Sequence, residues 1–159
     1  MDTVNQVTAA SIMTKNIITA KAETPLAEVA SVMNEHKFNG LPIVDENNVL
    51  VGIVTEYDMI SGVSGIHLPT LQAVLSKLPV FSKDKSEFNE DIESVSKLTA
   101  KDIMNKDPLT LLATATFEEV LTAFREHHRV NPIPVINDKR QVVGVISRYD
   151  VLKPLSQQK

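Results

Sequence analysis

Aspartates 58 and 150 occupy the same place in two similar stretches of a 159-residue chain, "GIVTEYDM" at 52–59 and "GVISRYDV" at 144–151. Each acid follows a hydroxyl residue, Thr55 or Ser147, by three positions, and each hydroxyl follows a glycine, Gly52 or Gly144, by three. The glycine lets the backbone pass close to a neighbour, and the β-branched pair after it suits the end of a buried strand. The hydroxyl then sits where a helix starts, and the free N–H groups and dipole there favour a phosphate. An acid on the first turn can accept hydrogen bonds from the paired hydroxyls of a ribose. The same residues also suit an N-cap followed by an acid set against a helix dipole. Repetition at equivalent places favours binding, and Glu56 in one copy against Arg148 in the other makes the two sites unequal.

The echo extends much further. "LTAKDIM" at 98–104 repeats "VTAASIM" at 7–13, so that Thr8, Ala9, Ile12 and Met13 fall on Thr99, Ala100, Ile103 and Met104. "LAEVASVMNEH" at 26–36 falls on "FEEVLTAFREH" at 117–127, and one residue is inserted before Pro134. "LPIVDENNVLVGIVTEYD" then matches "IPVINDKRQVVGVISRYD". Two copies of one unit result, 7–60 and 98–155, joined by residues 61–97.

The elements that must position the acids have the order β, α, β, β, α in each copy. Short strands are expected around 17–19 and 109–111. Leu26, Val29, Ala30 and Met33 mark the buried stripe of a helix, as do Phe117, Val120, Leu121 and Phe124. Thr24 with Pro25 reads as an N-cap and first-turn pair, and Thr116 with Glu119 as a capping box. Strands 41–44 and 133–136 meet 49–54 and 141–146 across the turns "DENN" and "NDKR". A second helix is expected to start at each of Thr55 and Ser147. This is an α+β pattern with strands of both copies sharing a core. The joining segment carries Leu71, Val74, Leu75 and Leu78 at helical spacing, predicting a helix near 70–78. Its charged remainder reads as exposed linker.

Composition bounds the function. With 43% hydrophobic and 23% charged residues, the chain suits a folded globular protein. A formal net charge of -4 offers no general attraction to nucleic acid or to anionic lipid. The absence of cysteine excludes disulfides, thiolate catalysis and cysteine-ligated zinc. Apolar runs are only strand-length and the first residues carry no basic-then-apolar leader, so a cytoplasmic protein without membrane spans is expected. His36, His127 and His128 lack metal-ligand spacing and read as helix-end residues. Met13, Met33, Met59 and Met104 read as core fillers. No nucleophile-base motif is legible, so binding explains the repeated acid better than catalysis does.

The repeat from "SIMTKNIIT" through "GLPIVDENNVLVGIVTEYDMI", and again from "DIMNKDPLT" through "NPIPVINDKRQVVGVISRYDVL", resembles a tandem pair of CBS domains, the module named after cystathionine β-synthase. The resemblance implies two β-α-β-β-α motifs packed as a pseudo-two-fold pair, a Bateman module. Its clefts would take an adenosine-containing ligand such as AMP, ADP, ATP, S-adenosylmethionine or NAD. By resemblance Asp58 and Asp150 hold ribose, and Thr55 and Ser147 hold phosphate, with Glu56, Tyr57, Arg148 and Tyr149 between them. Asp150 and Ser147 would face Thr24, Val29, Phe38 and Asn39, while Asp58 and Thr55 would face Val120, Val130 and Asn131. The positions before the second strand carry Asn39-Gly40 and Asn131-Pro132, where some family members hold phosphate with Arg or His. A homodimer, an unidentified regulated protein and no required cofactor are also implied. The competing expectation is a ligand-independent dimerisation or protein-interaction module with empty clefts.

Overall fold

The structure, a computed structural model, describes residues 7–62 and 97–156. The helix expected near 70–78 lies outside the described residues. The first copy contains α1 (Ala9–Ile12), α2 (Leu26–His36), β1 (Gly40–Val44), β2 (Leu50–Thr55) and α3 (Glu56–Gly62). The second contains α4 (Ala100–Ile103), β3 (Leu111–Leu112), α5 (Phe117–Glu126), β4 (Ile133–Ile136), β5 (Val142–Ile146), a 3-10 turn (Asp150–Leu152) and α6 (Lys153–Ser156).

Compact units do not follow the copies. Of the described residues, 7–18, 44–50 and 107–156 gather into one unit, and 19–43, 51–62 and 97–106 into the other. The opening turn of each copy is thus built into the unit that holds the other copy's motif acid.

In the Asp150 unit, β3 pairs in parallel with β4, Leu111 opposite Val135, and β4 pairs antiparallel with β5, Ile133 opposite Ile146. α1 closes one side of this sheet. Its Ala9 and Ile12 join Val120, Val135 and Ile146 in a core cluster, with Met13, Phe117 and Phe124 packed around it. The backbone fixes α1 as well, because Ala9 N donates to Ala115 O at 2.8 Å and Ala10 N to Ala113 O at 2.9 Å. Two of the orphan donors at a helix start are satisfied this way.

The Asp58 unit repeats the same internal pairings. A loop of five residues joins β1 to β2, too short for the crossover a parallel pair needs, so the two form an antiparallel hairpin. Ala20 makes a parallel bridge to Ile43, the counterpart of Leu111 with Val135, and Pro25 bridges Thr99 as Thr8 bridges Thr116. Leu26, Val29, Ala30 and Met33 are all buried, as their spacing predicts.

Both hairpin turns are shaped by one side chain. Asp45 Oδ1 accepts from the N–H of Asn47 and Val49, and Asn137 Oδ1 from those of Lys139 and Gln141. Asn48 and Arg140, the fourth residue of each turn, have positive φ of 63° and 59°.

Four expectations need correction. Thr24 does not cap α2: its hydroxyl accepts from Lys21 N, Pro25 holds the cap position with an extended ψ of 136°, and Leu26 N is satisfied by Leu98 O. The strand expected at 17–19 reduces to the single bridge at Ala20, because Ile17 N turns back onto Lys15 O. Its counterpart, expected at 109–111, starts two residues later, at Leu111–Leu112. Leu121 is 38% exposed, since Phe117, Val120 and Phe124 already fill the space between α5 and the core.

Candidate functional site

The repeated glycine is explained by close approach. A Cβ at Gly52 would stand 2.8 Å from both Asn105 O and Met104 Sδ, and one at Gly144 would stand 2.6 Å from Met13 Sδ and 3.0 Å from Thr14 O. The methionine of each opening turn lies over the glycine of the other copy. Neither glycine has positive φ, so space and not backbone conformation demands it.

Three residues on, the strand ends in the hydroxyl. In the Asp58 unit, Thr55 N and Thr55 Oγ1 both donate to Asp58 Oδ2, at 2.8 and 2.6 Å, and Asp58 N returns a bond of 3.2 Å to Thr55 Oγ1. This is a capping box at the start of α3. Among the described residues, Oδ1 of Asp58 has no partner. Glu56 N donates to Asn39 O and Asn39 Nδ2 donates to Glu56 Oε2 at 2.6 Å, which ties the helix start to the residues before β1. Next to them Phe38 stacks on His36, ring centroids 5.2 Å apart. Tyr57 is 46% exposed.

The Asp150 unit begins alike, with Ser147 N and Ser147 Oγ donating to Asp150 Oδ2 at 2.6 and 2.9 Å. Beyond that the two acids differ. The α-helix expected to start at Ser147 does not form there. The chain makes a turn, then the 3-10 segment, and only then α6. Pro154, whose ring excludes a residue from the body of a helix, is tolerated in that first turn. The tighter 3-10 path buries Asp150 to 5% exposure, the one buried charged residue among those described. Its Oδ1 accepts from Thr14 Oγ1 at 3.4 Å and pairs with Lys153 Nζ at 2.5 Å, and the same ammonium donates to Ile12 O at 2.8 Å. Arg148 N donates to Asn131 Oδ1 and its guanidinium to His128 O. Val130 N closes a turn onto His127 O, and Tyr149 is 80% exposed.

Within each unit, then, the hydroxyl–acid pair is joined to the asparagine of its own copy, Thr55 and Asp58 through Glu56 to Asn39, and Ser147 and Asp150 through Arg148 to Asn131. Val29 and Val120, expected to face a ligand, are fully buried core residues. Sequence reasoning missed Lys153 and Thr14. The i, i+3 spacing of Asp150 and Lys153 was a usable signal. Thr14 lies 136 residues from Asp150 and left none.

The CBS domain pattern matches residues 9–65 and 100–157. The chain belongs to the CBS domain family. Among curated relatives, it is 28% identical over 142 residues to the uncharacterised protein MJ1225 of Methanocaldococcus jannaschii, covering 89% of this chain and 46% of that one. It therefore spans less than half of that relative. Two solved CBS structures have a similar fold. CBSX2 from Arabidopsis thaliana, solved with AMP, aligns at a TM-score of 0.69 and 22% identity, covering 94% of this chain and 96% of that one. The CBS domain pair of protein MJ0100, solved with 5'-methylthioadenosine and S-adenosyl-L-methionine, aligns at 0.68 and 24%, covering 97% and 99%. The fold is the α+β fold of a CBS pair. Among the described residues, no helix is long and apolar enough to cross a membrane.

Proposed function

We propose that this CBS pair is a cytoplasmic regulatory module and not an enzyme, binding an adenosine-containing compound in clefts between its two motifs and passing a change of shape to a partner protein. The observation that carries this reading is the oriented carboxylate. In both motifs one oxygen of the acid is pinned by a backbone N–H and a hydroxyl, which fixes the direction of the other. An acid held so accepts the paired O–H groups of a ribose without a further loss of side-chain freedom. The proposed contacts are Asp58, Thr55 and Tyr57 with Val130 and Asn131, and Asp150, Ser147, Arg148 and Tyr149 with Thr24, Phe38 and Asn39. The AMP and S-adenosylmethionine complexes of the two similar structures support the ligand class. AMP, ADP, ATP, S-adenosylmethionine and NAD, each added at a hundred times its dissociation constant, should stabilise the fold by about 2.7 kcal/mol if bound. A thermal-shift panel reads this directly, and no response to any of the five at millimolar concentration refutes the reading.

One observation favours a second reading, a dimerisation or docking module. Tyr149, Leu152 and Leu155, at 80%, 53% and 69% exposure, place apolar side chains on the surface of one short segment. A homodimer that forms without ligand, and that Leu152→Asp with Leu155→Asp disrupts, would support it.

A further inference from the structure

An ionised carboxylate has about four acceptor positions, two on each oxygen. At Asp150 every position faces a donor: Oδ2 the N–H and hydroxyl of Ser147, Oδ1 the ammonium of Lys153 at 2.5 Å and, more distantly at 3.4 Å, the hydroxyl of Thr14. At Asp58 only Oδ2 is used, by the N–H and hydroxyl of Thr55, and among the described residues Oδ1 keeps both positions open. A ribose offers two adjacent O–H donors, the number that Asp58 can still accept. Asp150 cannot accept both until Lys153 leaves.

Lys153 is what separates the two. It sits three residues after Asp150, on the first turn of α6, and is itself tethered by its second bond, to Ile12 O. The residue three after Asp58 is Ser61, which carries no ammonium. Burial sharpens the difference. Asp150 is 5% exposed, so the carboxylate end of its pair with the half-exposed Lys153 is screened less than that of a pair lying wholly on the surface. Asp58 is half-buried and its free oxygen faces no competing cation among the described residues.

We infer that Lys153 is an internal occupant of the second ribose clamp, so that the two motifs are filled in a fixed order, Asp58 first and Asp150 only when Lys153 is displaced. Resting on the adenosine-ligand reading above, this adds which acid takes the ribose and which residue decides it. The apparent affinity of a site that is open for only a fraction of the time falls by that fraction. Loss of one charge-assisted hydrogen bond corresponds to a factor of about ten or more.

AMP titrated calorimetrically into the full chain tests the order. The wild type should bind one AMP tightly per chain. Asp58→Asn should abolish that event. Lys153→Met should add a second event, with affinity at least about tenfold tighter than any weak second binding seen in the wild type. Because Lys153→Met leaves a buried carboxylate unpaired, Lys153→Gln serves as a second variant that retains a neutral donor toward Ile12 O. Two equal sites in the wild type overturn the inference, as does a tight site lost with Asp150→Asn and not with Asp58→Asn. A Lys153 variant that is folded and yet gains no second event also overturns it, since the lysine would then not be the occupant. In those three cases AMP still binds, so the adenosine reading survives. If neither the wild type nor any variant binds AMP, the order of filling falls, while the adenosine reading is decided separately by the five-ligand panel above.

Discussion

Gly144→Ala, read together with Met13, tests whether the opening turns are exchanged between the copies. The backbone at Gly144 does not need glycine, so alanine alone would stabilise by about 0.4–1 kcal/mol through the unfolded chain. The new methyl, however, would stand 2.6 Å from Met13 Sδ, 2.9 Å from its Cγ and 3.0 Å from Thr14 O. Overpacking of this kind costs about 1–3 kcal/mol. The net expectation is a loss of up to about 2.5 kcal/mol. Two of the three close atoms belong to a flexible side chain, so shortening it by Met13→Ala should remove most of the clash. In a double-mutant cycle by urea denaturation, the pair Gly144→Ala with Met13→Ala should fall short of additivity by about 1–2 kcal/mol. Gly52→Ala with Met104→Ala should recover less, because Asn105 O also stands at 2.8 Å and is held there by the paired bonds between Asn105 and Ile53. The decisive control is Gly52→Ala with Met13→Ala. If each copy folded on its own opening turn, this pair would couple and Gly144 with Met13 would be additive. That result would refute the exchange.

Two further outcomes follow from the cores and caps. Ile146→Ala, at 0% exposure beneath α1, should cost about 2–5 kcal/mol, whereas Leu121→Ala, 38% exposed, should cost less than about 1 kcal/mol by the same denaturation curves. At low pH the capping boxes should weaken. The Thr116 N–H beside Glu119, with the Thr116 hydroxyl, holds that carboxyl below its ordinary value, and the Thr99 N–H, with its hydroxyl, does the same for Asp102. A lowered folded pKa gives stability that is present above the unfolded value and is lost as pH falls through the folded one. Stability measured downward from neutral pH should therefore decline across and below the ordinary carboxylate range. Glu119→Gln with Asp102→Asn should flatten part of that decline, and an unchanged slope would refute the assignment.

The repeat made most of the fold legible, because duplicated apolar spacing is stronger than either copy's alone. β4 at 133–136 was located residue for residue, and the other hairpin strands to within a residue at each end. What escaped has identifiable causes. Thr24 carries the right residue type for a cap, but Leu98, 72 residues beyond the helix start at Leu26, already supplies the acceptor that Leu26 N needs. Ser147 and Thr55 look alike, yet Pro154 and the 3-10 path after Ser147 give their acids different surroundings. The capping boxes at Thr8 with Ser11 and Thr99 with Asp102 have a sequence signal of their own, inside the repeat. The exchange of opening turns left no local trace at all. It is set by which methionine covers which glycine.

That exchange bears on how ligand binding at Asp150 would be felt. Lys153 and Thr14 join the acid to the end of α1 and the segment after it, Lys153 through Ile12 O and Thr14 through its own hydroxyl. If a ribose takes Oδ1, both side-chain links open. The backbone links do not: Thr14 N still donates to Val145 O at 2.9 Å, Val145 N to Thr14 O at 3.1 Å, and Ala9 and Ala10 remain bonded to Ala115 and Ala113. The segment would stay on the sheet while its side chains are released. A ligand shifts a conformational equilibrium only by its difference in affinity for the two states. At Asp150 that difference must exceed the strength of the lysine and threonine contacts given up. Binding at Asp58 gives up no such contacts among the described residues. The first ligand would then bind without rearranging Lys153, and a signal that depends on freeing Lys153 and the α1 segment would require the second.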